Sequence, residues 1–163
     1  MTELRALLEH LGYQRVVTYL QSGQVTFDAE DCPDDVLAAR ISQALADEYG
    51  SDIDVIVRDH DYFDAIVSHC PFPTGEYAPK QLHVIYCSAQ PNPARLDQID
   101  AAALLPERFA VGDRAIYCLL PGGIGRSKLA AQLAQPRILE SGTIATVRNW
   151  NTVTKLAAMT NEE

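Results

Sequence analysis

The residues best suited to chemistry in this sequence stand together between positions 121 and 128, in the run Pro-Gly-Gly-Ile-Gly-Arg-Ser-Lys. Glycines let backbone N–H groups turn towards a ligand, and a helix beginning near Ser127 adds the positive end of its dipole. Arg126 and Lys128 add full charges, so phosphate, sulfate or a carboxylate would suit this loop. The G-x-x-x-x-G-K-[ST] spacing of a P-loop is absent. The alternative is a glycine turn in which Ser127 is an ordinary helix N-cap.

A second polar cluster, Arg-Asn-Trp-Asn-Thr, occupies positions 148–152 and holds the only tryptophan of the chain. If the two segments converge, Trp150 could stack on a base while Arg126 and Arg148 bind phosphate. The alternative is that Asn149 or Asn151 caps the last helix and Trp150 packs between layers. The predicted ligand-binding residues are Gly123, Gly125, Arg126, Ser127, Lys128, Arg148, Asn149, Trp150 and Asn151.

Other reactive residue types do not form a recognisable constellation. Adjacent residues seldom point at one ion, so the run 59–61 (Asp-His-Asp) favours a strand end and helix cap over a metal site. The neighbours His69 and Cys70 are equally unsuited to a thiol–imidazole pair. The polar residues of the first hairpin, Gln21 and Ser22, are typical of turn geometry. We therefore predict no metal and no cofactor, and the sequence identifies no catalytic residue.

Charge and composition exclude several classes of protein. The net charge of −9 disfavours nonspecific nucleic-acid binding. The charge is uneven, because residues 1–113 hold 7 basic and 19 acidic side chains while residues 114–155 hold 6 basic and 1 acidic. A local anion site thus stays compatible with the overall sign. No run of about 20 apolar residues predicts a membrane helix, the N-terminus does not resemble a signal peptide, and the four cysteines are scattered. We expect a cytoplasmic protein.

Hydrophobic spacing predicts the elements that must position these residues. The first half has the order α-β-β-α-β, with expected elements at 2–11, 15–21, 24–28, 33–50 and 53–57. A short connecting helix at 60–69 precedes a loop rich in proline and glycine. The second half has the order β-α-β-β-α-β plus a final helix, with expected elements at 83–88, 94–104, 107–120 (a hairpin), 127–135, 143–148 and 151–160.

The order of the second half is that of a ferredoxin-like fold, the α/β plait, and the first half repeats it without an opening strand. We therefore predict an α+β protein with two ferredoxin-like subdomains, the first lacking its opening strand. The expected boundaries are 1–70 for the first subdomain with its connecting helix, 71–82 for a linker, and 83–163 for the second subdomain with the C-terminal helix.

Three stretches resemble those of the bacterial domain-of-unknown-function family 1697. Residues 18–25 read TYLQSGQV beside the family's TYIQSGNV, residues 123–129 read GIGRSKL, and residues 146–153 read TVRNWNTV. Gln24 departs from the family's asparagine. Members of the family usually begin with a strand and loop resembling LLRGINVGG, which this sequence lacks ahead of its first helix. The resemblance implies two plait-like subdomains and no established activity.

These observations favour one function and leave others open. We expect a binding module for an anionic or nucleotide-like small molecule. The alternatives are an enzyme acting on a phosphorylated metabolite, and a protein-interaction or assembly role without catalysis. The interaction or assembly role follows from the incomplete first sheet, since exposed strand edges pair readily with another chain, and it includes a homo-oligomer.

Overall fold

The computed structural model describes residues 1–161 and has an α+β architecture with two antiparallel sheets. The chain divides into two compact units. The first contains Met1–Asp59 and the end of the last helix from Met159, and the second contains His60–Ala158. Among the described residues, none of the helices has the length and apolar character needed to cross a bilayer.

The first unit packs two helices against a two-stranded sheet. Its elements are α1 (Thr2–His10), β1 (Gln14–Tyr19), β2 (Gln24–Asp28) and α2 (Asp34–Tyr49). The strands pair antiparallel, with Val17 opposite Thr26 and Tyr19 opposite Gln24. Helical spacing of apolar residues explains why α1 and α2 form, since their inward faces meet one side of the hairpin. The buried core residues are Leu8, Tyr13, Val16, Leu37, Ile41 and Leu45.

The strand predicted at 53–57 is not formed, which corrects the expected order of the first unit. These residues lie outside any helix or strand, and the sheet of this unit holds β1 and β2 only. Val55 and Val57 nevertheless pack on the core of the unit. The alternation of apolar residues therefore correctly indicated burial. A strand also needs a neighbour for its backbone hydrogen bonds, and β2 does not supply them.

The second unit contains a four-stranded antiparallel sheet. Its strand order is β4-β5-β3-β6, so β3 lies between β5 and β6. The elements are α3 (His60–Ser68), β3 (Leu82–Cys87), α4 (Pro93–Leu96), β4 (Arg108–Gly112), β5 (Ala115–Leu119), α5 (Lys128–Leu133), β6 (Ala145–Asn149) and α6 (Trp150–Thr160). The helix expected over 94–104 is shorter, because α4 ends at Leu96 and only Ala102–Leu104 form a further 3-10 turn.

Both faces of this sheet are covered. On one face Ile116 and Cys118 of β5 pack with the core residues Leu129 and Leu133 of α5. On the other face Tyr117 points away from α5, and its hydroxyl donates a hydrogen bond of 2.8 Å to the carbonyl of Ile66 in α3. Burial raises the pKa of Tyr117 to about 12, so this hydroxyl keeps its proton. Because α3 is held to the sheet in this way, it is part of the second unit.

Candidate functional site

One end of the four-stranded sheet carries the segments that the sequence singled out. The end of β5 and the end of β6 both lie at the start of β3, since Leu82 is opposite Leu119 and His83 is opposite Asn149. The glycine-rich loop leaves the sheet from β5, and α6 begins directly after β6. The predicted segments therefore emerge at the same end of the sheet.

The glycine-rich loop is a compact turn tied to Gln81, the residue before β3. The N–H of Gly123 donates to the carbonyl of Leu120 at 2.8 Å, and the side-chain amide of Gln81 donates to the carbonyl of Pro121 at 2.9 Å. Gly123 has φ of +79°, a conformation that favours glycine. A 3-10 turn, Ile124–Arg126, then leads into α5. Two hydrogen bonds and one glycine conformation thus define the course of the loop.

The N-terminus of α5 already has two acceptors from the chain itself. The Ser127 hydroxyl accepts the N–H of Ala130 at 2.8 Å, and the Glu107 carboxylate accepts the N–H of Leu129 at 2.9 Å. Ser127 is therefore the ordinary N-cap that the sequence offered as an alternative, and its side chain is buried. Glu107 was not anticipated, because its contact with α5 joins residues far apart in sequence. The end of α5 is thus satisfied internally.

The loop before α5 keeps donors that the protein does not use. Arg126 and Lys128 are exposed, and neither forms an ion pair or hydrogen bond with a side chain among residues 1–161. The backbone N–H groups of Ile124 and Gly125 likewise donate to no acceptor in the described chain. Two cations and two amide donors within five residues could hold a small oxyanion in place of water.

The residues of the second predicted cluster do not all face this loop. Arg148 lies opposite Val84, so its side chain is on the face covered by α3, whereas α5 packs on the other face. The guanidinium lies near Tyr86; burial lowers the pKa of Arg148, and the Tyr86 hydroxyl opposes that effect. A clamp in which Arg126 and Arg148 grip the same phosphate is not the arrangement seen here.

The neighbours of Arg148 have structural roles. The Asn149 side chain accepts the N–H of Thr152 at 3.0 Å and so caps α6. Trp150 is 7% exposed, which leaves little of its ring open to a base. Asn151 is exposed in the first turn of α6, and its carbonyl accepts the Thr154 hydroxyl at 3.2 Å. These contacts agree with the alternative drawn from the sequence, in which an asparagine caps the last helix and Trp150 is packed.

His83 is a further polar residue at this end of the sheet that the sequence patterns did not single out. Its side chain is 6% exposed, and it stands between Cys118 and Asn149 on the α5 face. Nδ1 is buried and has no hydrogen-bond partner in the described structure. Burial lowers the pKa of His83, so the ring is neutral near pH 7. A lone histidine in the apolar run Leu82–Cys87 was the signal that could have revealed it.

A cavity of about 190 Å³ lies elsewhere in the second unit, between α3 and the β4–β5 turn. Its lining includes Tyr62, His69, Gly112 and Tyr117, and it contains none of the glycine-loop residues. Within the described residues, no group of three or more histidine, cysteine or acidic side chains is arranged to hold a metal ion. The glycine loop thus lies on the surface of the unit, away from this cavity.

Comparison with known proteins places the chain among uncharacterised relatives. The family model described as "Protein of unknown function (DUF1697)" matches residues 1–117. A solved structure of a conserved bacterial protein, SP0830 from Streptococcus pneumoniae, is similar with a TM-score of 0.69 and 22% sequence identity, covering 99% of this chain and 88% of that one. No curated protein matches the chain. At this identity the solved structure supports the fold alone.

Proposed function

Because the chain belongs to the family of proteins of unknown function DUF1697, its membership supplies no activity, and we propose from the geometry that it is a binding module for a small anion. The observation that carries the proposal concerns one short loop. Within residues 1–161, Arg126 and Lys128 have no side-chain partner, and the N–H groups of Ile124 and Gly125 have no acceptor. The ligand would be inorganic phosphate or the phosphate of a small metabolite.

Charge supports a weak, exposed site more than a deep one. The segment 114–155 is basic in an acidic protein, which favours the approach of an anion to this region. Glu107 contributes one negative charge beside α5, so a dianion is held against some repulsion. Gly123, Gly125 and Ser127 would shape the loop around the ligand, while the residues at positions 148–151 would support the end of the sheet.

An enzyme acting on a phosphorylated metabolite is the second candidate, and His83 is the observation that favours it. A neutral histidine with an unpartnered nitrogen, at the sheet end from which the glycine loop emerges, has the properties of a general base. Turnover of a phosphorylated substrate that is lost in His83→Gln, with phosphate binding retained, would support catalysis over binding alone.

The experiment that tests the binding proposal is a phosphate titration followed by thermal unfolding. A ligand that binds the folded state alone stabilises it by about 2.7 kcal/mol at 100 times its dissociation constant, so the melting temperature should rise with phosphate. Arg126→Ala should remove most of the rise. Lys155→Ala is the matched control, since it removes a cation of α6 outside the loop. An equal rise in all three proteins, or none, would refute the proposal.

We also propose that the second unit is a ferredoxin-like plait. The order β3-α4-β4-β5-α5-β6, with every neighbouring pair antiparallel, supports this. The first unit would be a related arrangement with two strands fewer, since its sheet holds β1 and β2 only.

A further inference from the structure

The cavity between α3 and the β4–β5 turn follows from small residues on two facing elements. In β4, Ala110 and Gly112 lie on the face of the sheet that α3 covers, because they alternate with Phe109, which packs on the α5 side. In α3, Ala65 lines the same space. Short side chains on both walls leave about 190 Å³ open. A larger residue on either element would fill this space.

Two tyrosine hydroxyls join the walls of the cavity. The Tyr62 hydroxyl of α3 donates to the carbonyl of Asp113 at 2.9 Å, and the Tyr117 hydroxyl of β5 donates to the carbonyl of Ile66 at 2.8 Å. One bond thus runs from the helix to the turn, and the other runs from the sheet to the helix. Both rings are buried and line the cavity. Because the walls are already connected, a ligand does not have to order them.

The size and lining of the cavity suit a single aromatic ring. A protein cavity of about 150 Å³ lined by apolar side chains holds benzene, so this slightly larger one has room for a ring with one small substituent. The lining is mainly alanine, valine, isoleucine and proline side chains together with the two tyrosine rings. Aromatic rings pack favourably against one another at their edges and faces. A sugar or a nucleotide would need more polar partners than this lining provides.

The polar side chains at the mouth indicate the kind of substituent. His69 is exposed where it lines the cavity, and in the described part of the chain its imidazole has no ion-pair partner. The charge of Asp113 is balanced by Arg114, whose guanidinium donates to the carboxylate through Nε at 3.0 Å and Nη2 at 3.2 Å. The mouth therefore favours an uncharged substituent that can form a hydrogen bond.

We propose that this cavity is a binding site for a monocyclic phenol. The ring lies against Tyr62 and Tyr117, and the phenol hydroxyl forms a hydrogen bond with the imidazole of His69. A ligand of this size makes few contacts, so we expect a dissociation constant of about 1 mM. None of the glycine-loop residues lines the cavity, and the anion proposal and this one do not depend on each other.

The test is a titration of the full chain with phenol and with toluene, followed through the amide chemical shifts of the 15N-labelled protein. Both compounds should shift the amides of residues 62–69 and 110–117 in a saturable way, because toluene has the same ring with a methyl group in place of the hydroxyl. The amides of residues 123–128 should not respond, which separates this site from the loop proposed to bind phosphate.

Two variants with matched controls test the wall and the mouth of the cavity. Ala65→Leu fills the space and should weaken both compounds at least tenfold, whereas Ala131→Leu, at an exposed position of α5, should leave them unchanged. His69→Ala should weaken phenol about fivefold and leave toluene unchanged, because one hydrogen bond is lost. His10→Ala, at an exposed position of α1, should change neither affinity.

Four results would overturn the inference. The first is the absence of saturable shifts at residues 62–69 and 110–117 with either compound. The second is unchanged binding to Ala65→Leu, which would place the compounds elsewhere. The third is a melting temperature lowered further by Ala65→Leu than by Ala131→Leu, which would mean that the space does not exist. The fourth is an equal effect of His69→Ala on both compounds, which would remove the preference for a phenol.

Discussion

The Glu107 carboxylate accepts the backbone N–H of Leu129 at 2.9 Å, so an acidic residue 22 positions earlier in the sequence closes the N-terminus of α5. It does so beside Arg126 and Lys128, which have no acidic partner of their own in the described chain. The same carboxylate therefore stabilises the helix and opposes an anion at the loop.

Glu107→Gln separates these two effects. Loss of a charged acceptor at a helix N-terminus should lower the free energy of unfolding by about 1 kcal/mol. Removal of the negative charge should also tighten phosphate binding severalfold. Urea unfolding and a phosphate titration measure the two quantities, with the exposed Glu76→Gln as control. Weaker phosphate binding in Glu107→Gln would show that the anion does not lie near α5.

Ser127→Ala removes the N-cap of α5. The substitution should destabilise the protein by about 1 kcal/mol, because the N–H of Ala130 loses its acceptor. Ser127→Thr should restore most of the stability, and Ser141→Ala, at an exposed position, should have little effect. If Ser127→Ala keeps full stability but loses phosphate binding, the hydroxyl serves a ligand and its role as a cap is minor.

His83 should make stability depend on pH. Burial lowers its pKa in the folded protein, so the unfolded chain takes up a proton near the usual value of about 6.5 before the folded protein does. The contribution of His83 to the free energy of unfolding is then constant above about pH 7 and falls as the pH drops through about 6.5. The groups that flank His83 carry no charge in this pH range. The Asn149 amide does not titrate, and burial raises the pKa of Cys118 to about 12.

His83→Gln should flatten this part of the stability curve between pH 5 and about 7. The control is His10→Gln, at an exposed position of α1, which should keep the wild-type slope. Urea unfolding at a series of pH values measures both. Identical slopes in the wild type and His83→Gln would show that another group titrates.

Gly112→Ala should be destabilising by about 1–3 kcal/mol through overpacking. A Cβ atom at this position would lie 2.8 Å from Cε2 of Tyr117, and the ring is held in place by its hydrogen bond to Ile66. Gly75→Ala, which meets open space, is the control. Tyr117→Phe removes the hydrogen bond that holds the ring, so Gly112→Ala should cost less free energy of unfolding in the Tyr117→Phe protein. If the costs of the two substitutions simply add, the clash does not occur.

Much of the fold could be predicted from the sequence because it depends on local periodicity. The spacing of apolar residues predicted α1, α2, α3, the two hairpins and α6 near their observed limits. The strand expected at 53–57 was wrong because pairing is a property of two segments. The helix over 94–104 was too long because the Asp100 side chain accepts the N–H of Ala103 at 3.2 Å, a local turn that competes with helix.

The candidate site was predictable in its composition and less so in its geometry. The glycine loop and its cations could be recognised from residue types. The face on which Arg148 lies depends on the register of β6 against β3, and the contact of Glu107 with α5 depends on long-range packing. Neither leaves a signal in neighbouring residues, which is why the sequence left open both a clamp formed by Arg126 and Arg148 and a helix cap beside a packed Trp150.

The sheet of the second unit has helices against both of its faces, and this limits where substitutions leave the fold intact. A substitution beneath α3 or α5 disturbs close-packed side chains, whereas exchange of a loop at a strand end leaves the interior untouched. Sequence change in this unit should therefore be tolerated at the rim of the sheet more readily than between its layers.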